Sequence, residues 1–326
     1  MIYKIKAFME SIYGFVASGG GAKGAWGGGV AQYLVEELGR KYKYLSGTST
    51  GALLMVLAAG GDMQMARTAY TSVTNDDIYT LCPYKVKKSR NGTFTTRMAY
   101  ARIGWNLLIK RQKTFGDSTK LRTDTIPKFI KECVFEKIKA EEKEMIAAIT
   151  NLTMGTCDLK SSLEYNYEDF MDWVYASTCA APFMSIFKKD MFEYADGGFL
   201  KHAPIQALID RGCDEIDFIN HRQPDIDVEI VRNSLHGINR IIDVMMWNSA
   251  TNNLQMSELK AKDKDVVINV YEPGRKLTNN ELVFDKDMME KWWDEGFAYA
   301  KNTNEPSEVE KKSYLICKGK KPKRIK

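Results

Sequence analysis

Apolar and polar positions fall along the chain in a strand, turn, helix rhythm. An apolar run at residues 12–17 leads into a glycine cluster, and then Val30, Leu34 and Leu38 recur at helical spacing across residues 25–38. A second short run at 42–45 ends in Gly47-Thr48-Ser49-Thr50-Gly51 and enters a small-residue helix at 52–59. Two such units in succession predict a parallel sheet with helices on its faces.

Further along, the pattern predicts strands at 145–152 and 163–167, and a helix at 170–179 that stops before Pro182. A strand at 191–195 enters Asp196-Gly197-Gly198, followed by a helix at 205–211 and a strand at 215–220. The last third reads as a long helix at 237–262, a strand at 266–271 and a helix at 286–301 carrying Trp292 and Trp293. A helix is also expected at 126–134. No internal repeat or Pro/Ser-rich linker demands a domain boundary, so one large domain with a tail is the expectation.

Charge divides the chain unevenly. Of its 326 residues, 47 are Lys or Arg and 42 are Asp or Glu, a net +5. Residues 85–113 hold nine cations and no acid, and 311–326 hold eight cations and no acid. Setting those 17 aside leaves a body at −12, which argues against a nucleic-acid surface spread over the protein. With 44% hydrophobic residues the chain is not of the disordered class.

No apolar stretch approaches the ~18 to 20 residues needed to cross a bilayer. Residues 12–17, with Lys4 and Lys6 ahead, resemble a weak signal peptide, but they run straight into glycines, and a buried first strand is the better reading. Cys82, Cys133, Cys157, Cys179, Cys213 and Cys317 lie far apart without metal or redox spacing, which points to reduced thiols in a cytoplasmic protein and to no metal site.

Gly19-Gly20-Gly21-Ala22-Lys23-Gly24 satisfies G-x-G-x-x-G between a strand and a helix. A dinucleotide site would also want an acid at the end of the second strand to hold the ribose. That strand ends in Ser46-Gly47, and the nearest acids, Glu36 and Glu37, lie inside a helix.

What does end the second strand is G-x-S-x-G centred on Ser49, flanked by Gly47 and Gly51. A sharp strand-to-helix turn brings backbones too close for side chains and presents the serine at a helix N-terminus. Neighbouring strand ends bring loops together, so amides around Gly20, Gly21 and Ala22 could face a carbonyl oxygen attacked by Ser49, an oxyanion hole. The second glycine cluster, 27–29, reads as tight packing of helix on sheet. For a base there are three histidines, His202, His221 and His236, but Asp196-Gly197-Gly198 is the more distinctive acid.

These three ordered motifs, together with Ala176-Ser177 ahead of Ala181-Pro182, resemble the patatin-like phospholipase family over roughly residues 12–210. The resemblance implies an α/β three-layer sandwich with a central, mostly parallel sheet flanked by helices. It implies a Ser49–Asp196 dyad, with residues 19–24 (Gly19, Gly20, Gly21, Ala22, Lys23 and Gly24) as the oxyanion loop and Gly47, Gly51, Gly197 and Gly198 as supporting glycines. Asp196 would then act directly on Ser49, and no metal or organic cofactor is required. The implied activity is phospholipase A-type hydrolysis of glycerolipid esters.

Lys23 stands where many relatives have arginine, and it could anchor the loop or lean towards a phosphate. His202 stands where relatives tend to have an amide, which keeps a contact with the active site open. His221 could complete a Ser-Asp-His triad in α/β-hydrolase order, and a lipid-binding protein without turnover is a further alternative. The expected organisation is a catalytic core at 12–210, a basic insertion at 85–113, an extension at 211–305 packed on the same domain, and a basic, disordered tail at 306–326. Within the insertion, 97–113 reads as a basic amphipathic helix, either an ordinary packing helix with a solvated basic face, the reading the sequence favours, or one able to lie on an anionic membrane surface. A phospholipid or other glycerolipid, a peripheral membrane surface, and a homo-oligomer or protein activator are the partners to test.

Overall fold

The computed structural model describes residues 11–88, 94–109, 113–223, 226, 228–231, 234–305 and 324–325. The chain begins with β1 (Tyr13–Ala17), α1 (Gly24–Gln32), β2 (Tyr42–Thr48) and α2 (Thr50–Gly60), followed by α3 (Met63–Thr71) and α4 (Asn75–Ile78). A separate hairpin, β3 (Tyr84–Lys88) and β4 (Phe94–Met98), precedes α5 (Tyr100–Leu108), α6 (Ile126–Phe129) and α7 (Glu132–Ala140). Next come β5 (Glu144–Asn151), β6 (Thr156–Ser161), α8 (Tyr167–Ser177), β7 (Phe187–Lys189) and β8 (Phe192–Asp196). The chain continues through α9 (Ile205–Asp210), β9 (Glu215–Ile219), α10 (Ser234–Asp263), β10 (Val267–Tyr271), α11 (Lys286–Asn304) and β11 (Arg324–Ile325).

The main sheet runs β11-β10-β9-β1-β2-β5-β8-β7, with β6 also paired to β5. Pairings among β10, β9, β1, β2 and β5 are parallel, and β6, β7, β8 and β11 pair antiparallel. This is an α/β sandwich with a mostly parallel central sheet. In β1, Phe15 and Ala17 enter one core with α1, α2, α8 and α11, while Val16 enters the other with α9, as the two-residue strand period requires.

One detail of register decides where the chemistry sits. Residues 146–151 of β5 pair with β6 on one edge, so β2, at 144–148, and β8, at 149–151, must share the other. Thr48 faces Ala148 and Asp196 faces Ile149. The antiparallel β8 therefore meets the end of β2 head-on, and Asp196 arrives beside Ser49.

Several expected elements differ. The strand expected at 163–167 is a turn leading into α8, because Asn166 caps that helix by accepting the Asp169 amide. Its place is taken by β6, which folds back on β5 through a turn where Gly155 has φ 68°. The helix expected at 126–134 breaks into α6 and α7, since Ile130 and Lys131 are extended. Among the described residues of the helix expected at 97–113, only Tyr100–Leu108 are helical, the start being taken by β4. Gly28 and Gly29 pack against another helix, not the sheet: a Cβ on either would lie about 2 Å from Trp293 of α11. Residues 89–93 and 110–112 of the basic insertion, and all of the expected disordered tail except 324–325, lie outside the described residues.

Candidate active site

Ser49 sits at the junction of β2 and α2 with φ 56° and ψ −129°, a left-handed conformation that costs a non-glycine residue roughly 1 to 3 kcal/mol. The glycines beside it are dictated by contact. A Cβ on Gly47 would lie 2.2 Å from the Gly51 carbonyl oxygen, and one on Gly51 would lie 2.2 Å from that of Ala17. The Ser49 amide donates to Ser177 Oγ at 2.9 Å, and that hydroxyl donates to the Ala148 carbonyl at 2.6 Å. Ser177 thus pins the strained turn to β5, a role its place in the sequence did not announce.

Asp196 is 2% exposed. Its carboxylate accepts the Gly198 amide at 2.7 Å, and its own carbonyl accepts from Thr150 Oγ1 at 2.8 Å. Gly197 passes so close to β5 that a Cβ would lie 2.1 Å from the Ala148 carbonyl oxygen. Burial pushes the Asp196 carboxyl up to about 7, against the pull of hydrogen bonds from the Ser49 side chain and the Gly198 amide. A carboxylate of that basicity can take a proton from a hydroxyl near neutral pH far better than a free aspartate.

The glycine loop lies over the same spot. A Cβ on Gly19 would be 3.4 Å from Ser49 Cβ. The Gly19 amide donates to the His202 carbonyl, the Ala22 amide to the Glu281 carbonyl, the Lys23 amide to the Gly20 carbonyl, and the Gly24 amide back to Gly21 and Ala22. Among the described residues only the amides of Gly20 and Gly21 within 19–24 have no protein acceptor. Both residues line the cavity that holds Ser49 and Asp196, about 640 Å³ in volume.

The loop is held from outside the first 210 residues. Glu281 accepts the Ala22 amide at 2.8 Å through its carbonyl and pairs with Lys23 at 2.7 Å through its carboxylate. Gly21 has φ +53°, and a Cβ there would lie 2.2 Å from the Glu281 carbonyl oxygen. Burial would raise the Glu281 carboxyl, but Lys23 and Arg222 hold it down at about 2. Lys23 therefore anchors the loop through an ion pair. The sequence offered no signal for Glu281.

Neither buried histidine bonds to the Ser49 or Asp196 side chain. His221 Nδ1 donates to the Ser18 carbonyl at 2.7 Å, its Cβ lies under Gly20, and burial pushes its imidazole down to about 4. His202 borders the site, since a Cβ on Gly19 would lie 3.4 Å from Ser49 Cβ and 3.6 Å from the His202 ring, but neither ring nitrogen has a hydrogen-bond partner among the described residues, and burial, Arg222 and Lys23 hold its imidazole neutral. His236 pairs with Glu229 at 3.0 Å. Among the described residues no group of three or more His, Cys, Asp or Glu side chains is arranged to hold a metal. No described helix is long and apolar enough to cross a membrane.

The patatin-like phospholipase model matches residues 15–209, more than half of the chain, from β1 to α9. Among solved structures the chain is similar to VipD from Legionella pneumophila, at 13% identity and a TM-score of 0.40. That similarity covers 90% of this chain and 66% of VipD, so the chain spans just under two thirds of that protein's length. No curated protein matches the sequence. On the family match the chain belongs to the patatin-like phospholipases, a family of lipid acyl hydrolases.

Proposed function

We propose that the protein is a phospholipase A-type acyl hydrolase that works through Ser49 and Asp196. As Ser49 Oγ attacks the ester carbonyl, Asp196 takes its proton, and the amides of Gly20 and Gly21 receive the developing oxyanion. Asp196 then returns the proton to the departing lysolipid oxygen. Water, deprotonated by Asp196, then attacks the acyl-serine, the bond to Ser49 Oγ breaks to release the fatty acid, and Asp196 returns that proton to Ser49 Oγ. This chemistry calls on no metal or organic cofactor. The observation that carries the reading is the end-on meeting of β2 and β8, which sets a strained serine against a buried, basic aspartate in one cavity with two unoccupied amides. Fatty-acid release from phospholipid vesicles by the wild type tests it. Vesicle binding without release would make the protein a lipid binder.

Gly21→Ala is expected to lower kcat/KM on a soluble ester about 100-fold, because the new Cβ meets the Glu281 carbonyl and turns an oxyanion donor aside. Steady-state hydrolysis alongside a thermal melt checks this, and an unaltered rate would remove Gly21 from the oxyanion hole.

The reading extends to an anionic membrane surface as the place of action. What supports this is α5, where Tyr100, Trp105 and Leu108 are exposed while Ile103 and Asn106 face inward. Ile109, next along, is exposed too, and Arg97 and Met98 of the preceding strand line the cavity itself. Replacing the eight cations of 85–113 other than Arg97, which lines the cavity, with glutamine should weaken vesicle binding at least tenfold, at roughly 1 kcal/mol per cation near the surface. Hydrolysis of a soluble ester should change little by comparison. Equal losses in flotation and in ester hydrolysis would assign the segment to folding or catalysis.

A further inference from the structure

We infer that the cavity beside Ser49 contains a phosphate subsite built on Arg222, selecting glycerolipids that carry a phosphate ester next to the scissile acyl group. The inference rests on the acyl-hydrolase reading and names its substrate class. Arg222 lies beyond the matched residues 15–209, between β9 and α10, and lines the same cavity as Ser49 and Asp196.

Its side chain is only 12% exposed, yet it is poorly matched by protein groups. The nearest carboxylate oxygen, Glu281 Oε1, is 3.7 Å away, and Met246 Sδ also lies at 3.7 Å from Nη2. Arg222 Nε is buried with no acceptor among the described residues. A buried donor without a partner costs about 1 to 3 kcal/mol, so it stands ready for a ligand acceptor.

The charges around it favour an anion. Glu281 is shared between two cations, and its shorter contact, 2.7 Å, goes to Lys23. Arg240 of α10 and Arg97 of β4 line the same cavity. Of the other facing acids, Asp243 and Asp196 are both pushed up towards the neutral form, by burial first and with Glu281 adding to it, while hydrogen bonds pull Asp196 part of the way back. Glu229, which also lines the cavity, is paired with His236. The position is right for a lipid too. Arg222 is close enough to Asp196 to help hold its carboxyl down, and in a glycerophospholipid the phosphate is only a few bonds from the acyl ester. The planar guanidinium fork, through Nε and Nη, suits two phosphate oxygens.

Calorimetric titration of Ser49→Ala tests the subsite without turnover, using dihexanoylphosphatidylglycerol, dihexanoylglycerol and inorganic phosphate below micelle-forming concentrations. The phospholipid is expected to bind at least tenfold more tightly than the diacylglycerol, and adding Arg222→Gln should remove that difference. Arg222→Lys guards against misfolding: it keeps the charge beside Glu281 but removes the fork, so it should retain only part of the preference. Equal binding of the two lipids, or a preference undiminished in the Gln or Lys variant, overturns the inference. Inorganic phosphate binding as tightly as the phospholipid would overturn the assignment to a lipid and leave a free-phosphate site. Fatty-acid release by the wild type is scored separately, so a phosphate preference without hydrolysis would sink the hydrolase reading and leave the subsite standing.

Discussion

Ser49→Ala is expected to abolish fatty-acid release from phospholipid vesicles, a fall in kcat of about 10⁴ to 10⁶, while the protein stays folded. The magnitude follows from chemistry that no neighbour can replace, since Asp196 is placed to take a proton from this hydroxyl and neither His202 nor His221 bonds to it. The same position also predicts a gain in stability. Ser49 is held at φ 56°, a region glycine occupies without strain, so Ser49→Gly should raise the melting temperature while being equally inactive. The gain is the relief of roughly 1 to 3 kcal/mol of strain, less the extra chain entropy that glycine loses on folding. A fully active Ser49→Ala preparation would exclude Ser49 as the nucleophile. A Ser49→Gly protein less stable than wild type would show that the strain lies elsewhere.

Asp196→Asn is expected to lower kcat by about 10⁴, and the pH profile should show why. Burial raises the Asp196 carboxyl to about 7, so wild-type kcat/KM should climb with pH and level off above about 7. Stability should move the other way. Between about 4 and about 7 the folded protein keeps a proton that the unfolded chain has released, so stability is fully present below this window and lost as pH rises through it. The amide introduced by Asp196→Asn cannot ionise, so at pH 8 the variant should be more stable than wild type, by on the order of 2 to 4 kcal/mol, and at pH 4 the two should nearly coincide. An acid limb near 4, or a variant no more stable at pH 8 than wild type, would mean that Asp196 is an ordinary solvated carboxylate.

The parts of this site visible in the sequence are those where local geometry leaves one solution. Gly47 and Gly51 are forced by backbones about 2 Å from where a side chain would begin, so the turn around Ser49 could be read before any fold was drawn. The first two strand-helix units were legible because β1 and β2 are short apolar runs bounded by glycines. Long-range partners left no local trace. Glu281 and Arg222 reach the glycine loop only after the last third of the chain has folded back, and neither belongs to a motif. Gly28 and Gly29 looked like sheet packing because Trp293, the group that requires them, is about 265 residues away. Strand β6 was missed for a different reason: Thr156–Ser161 is largely polar, and its pairing depends on β5 beside it and on the turn at Gly155.

Whether Asp196 activates Ser49 is read from the rate at which a fluorophosphonate ester labels the wild-type protein across pH, with the adduct located by peptide mass mapping. One adduct on Ser49 is predicted, forming at a rate that rises to a plateau above pH about 7 and becomes at least 10³-fold slower in Asp196→Asn. No adduct on folded protein, an adduct at another residue, or labelling of Asp196→Asn at the wild-type rate would contradict a Ser49 nucleophile activated by Asp196.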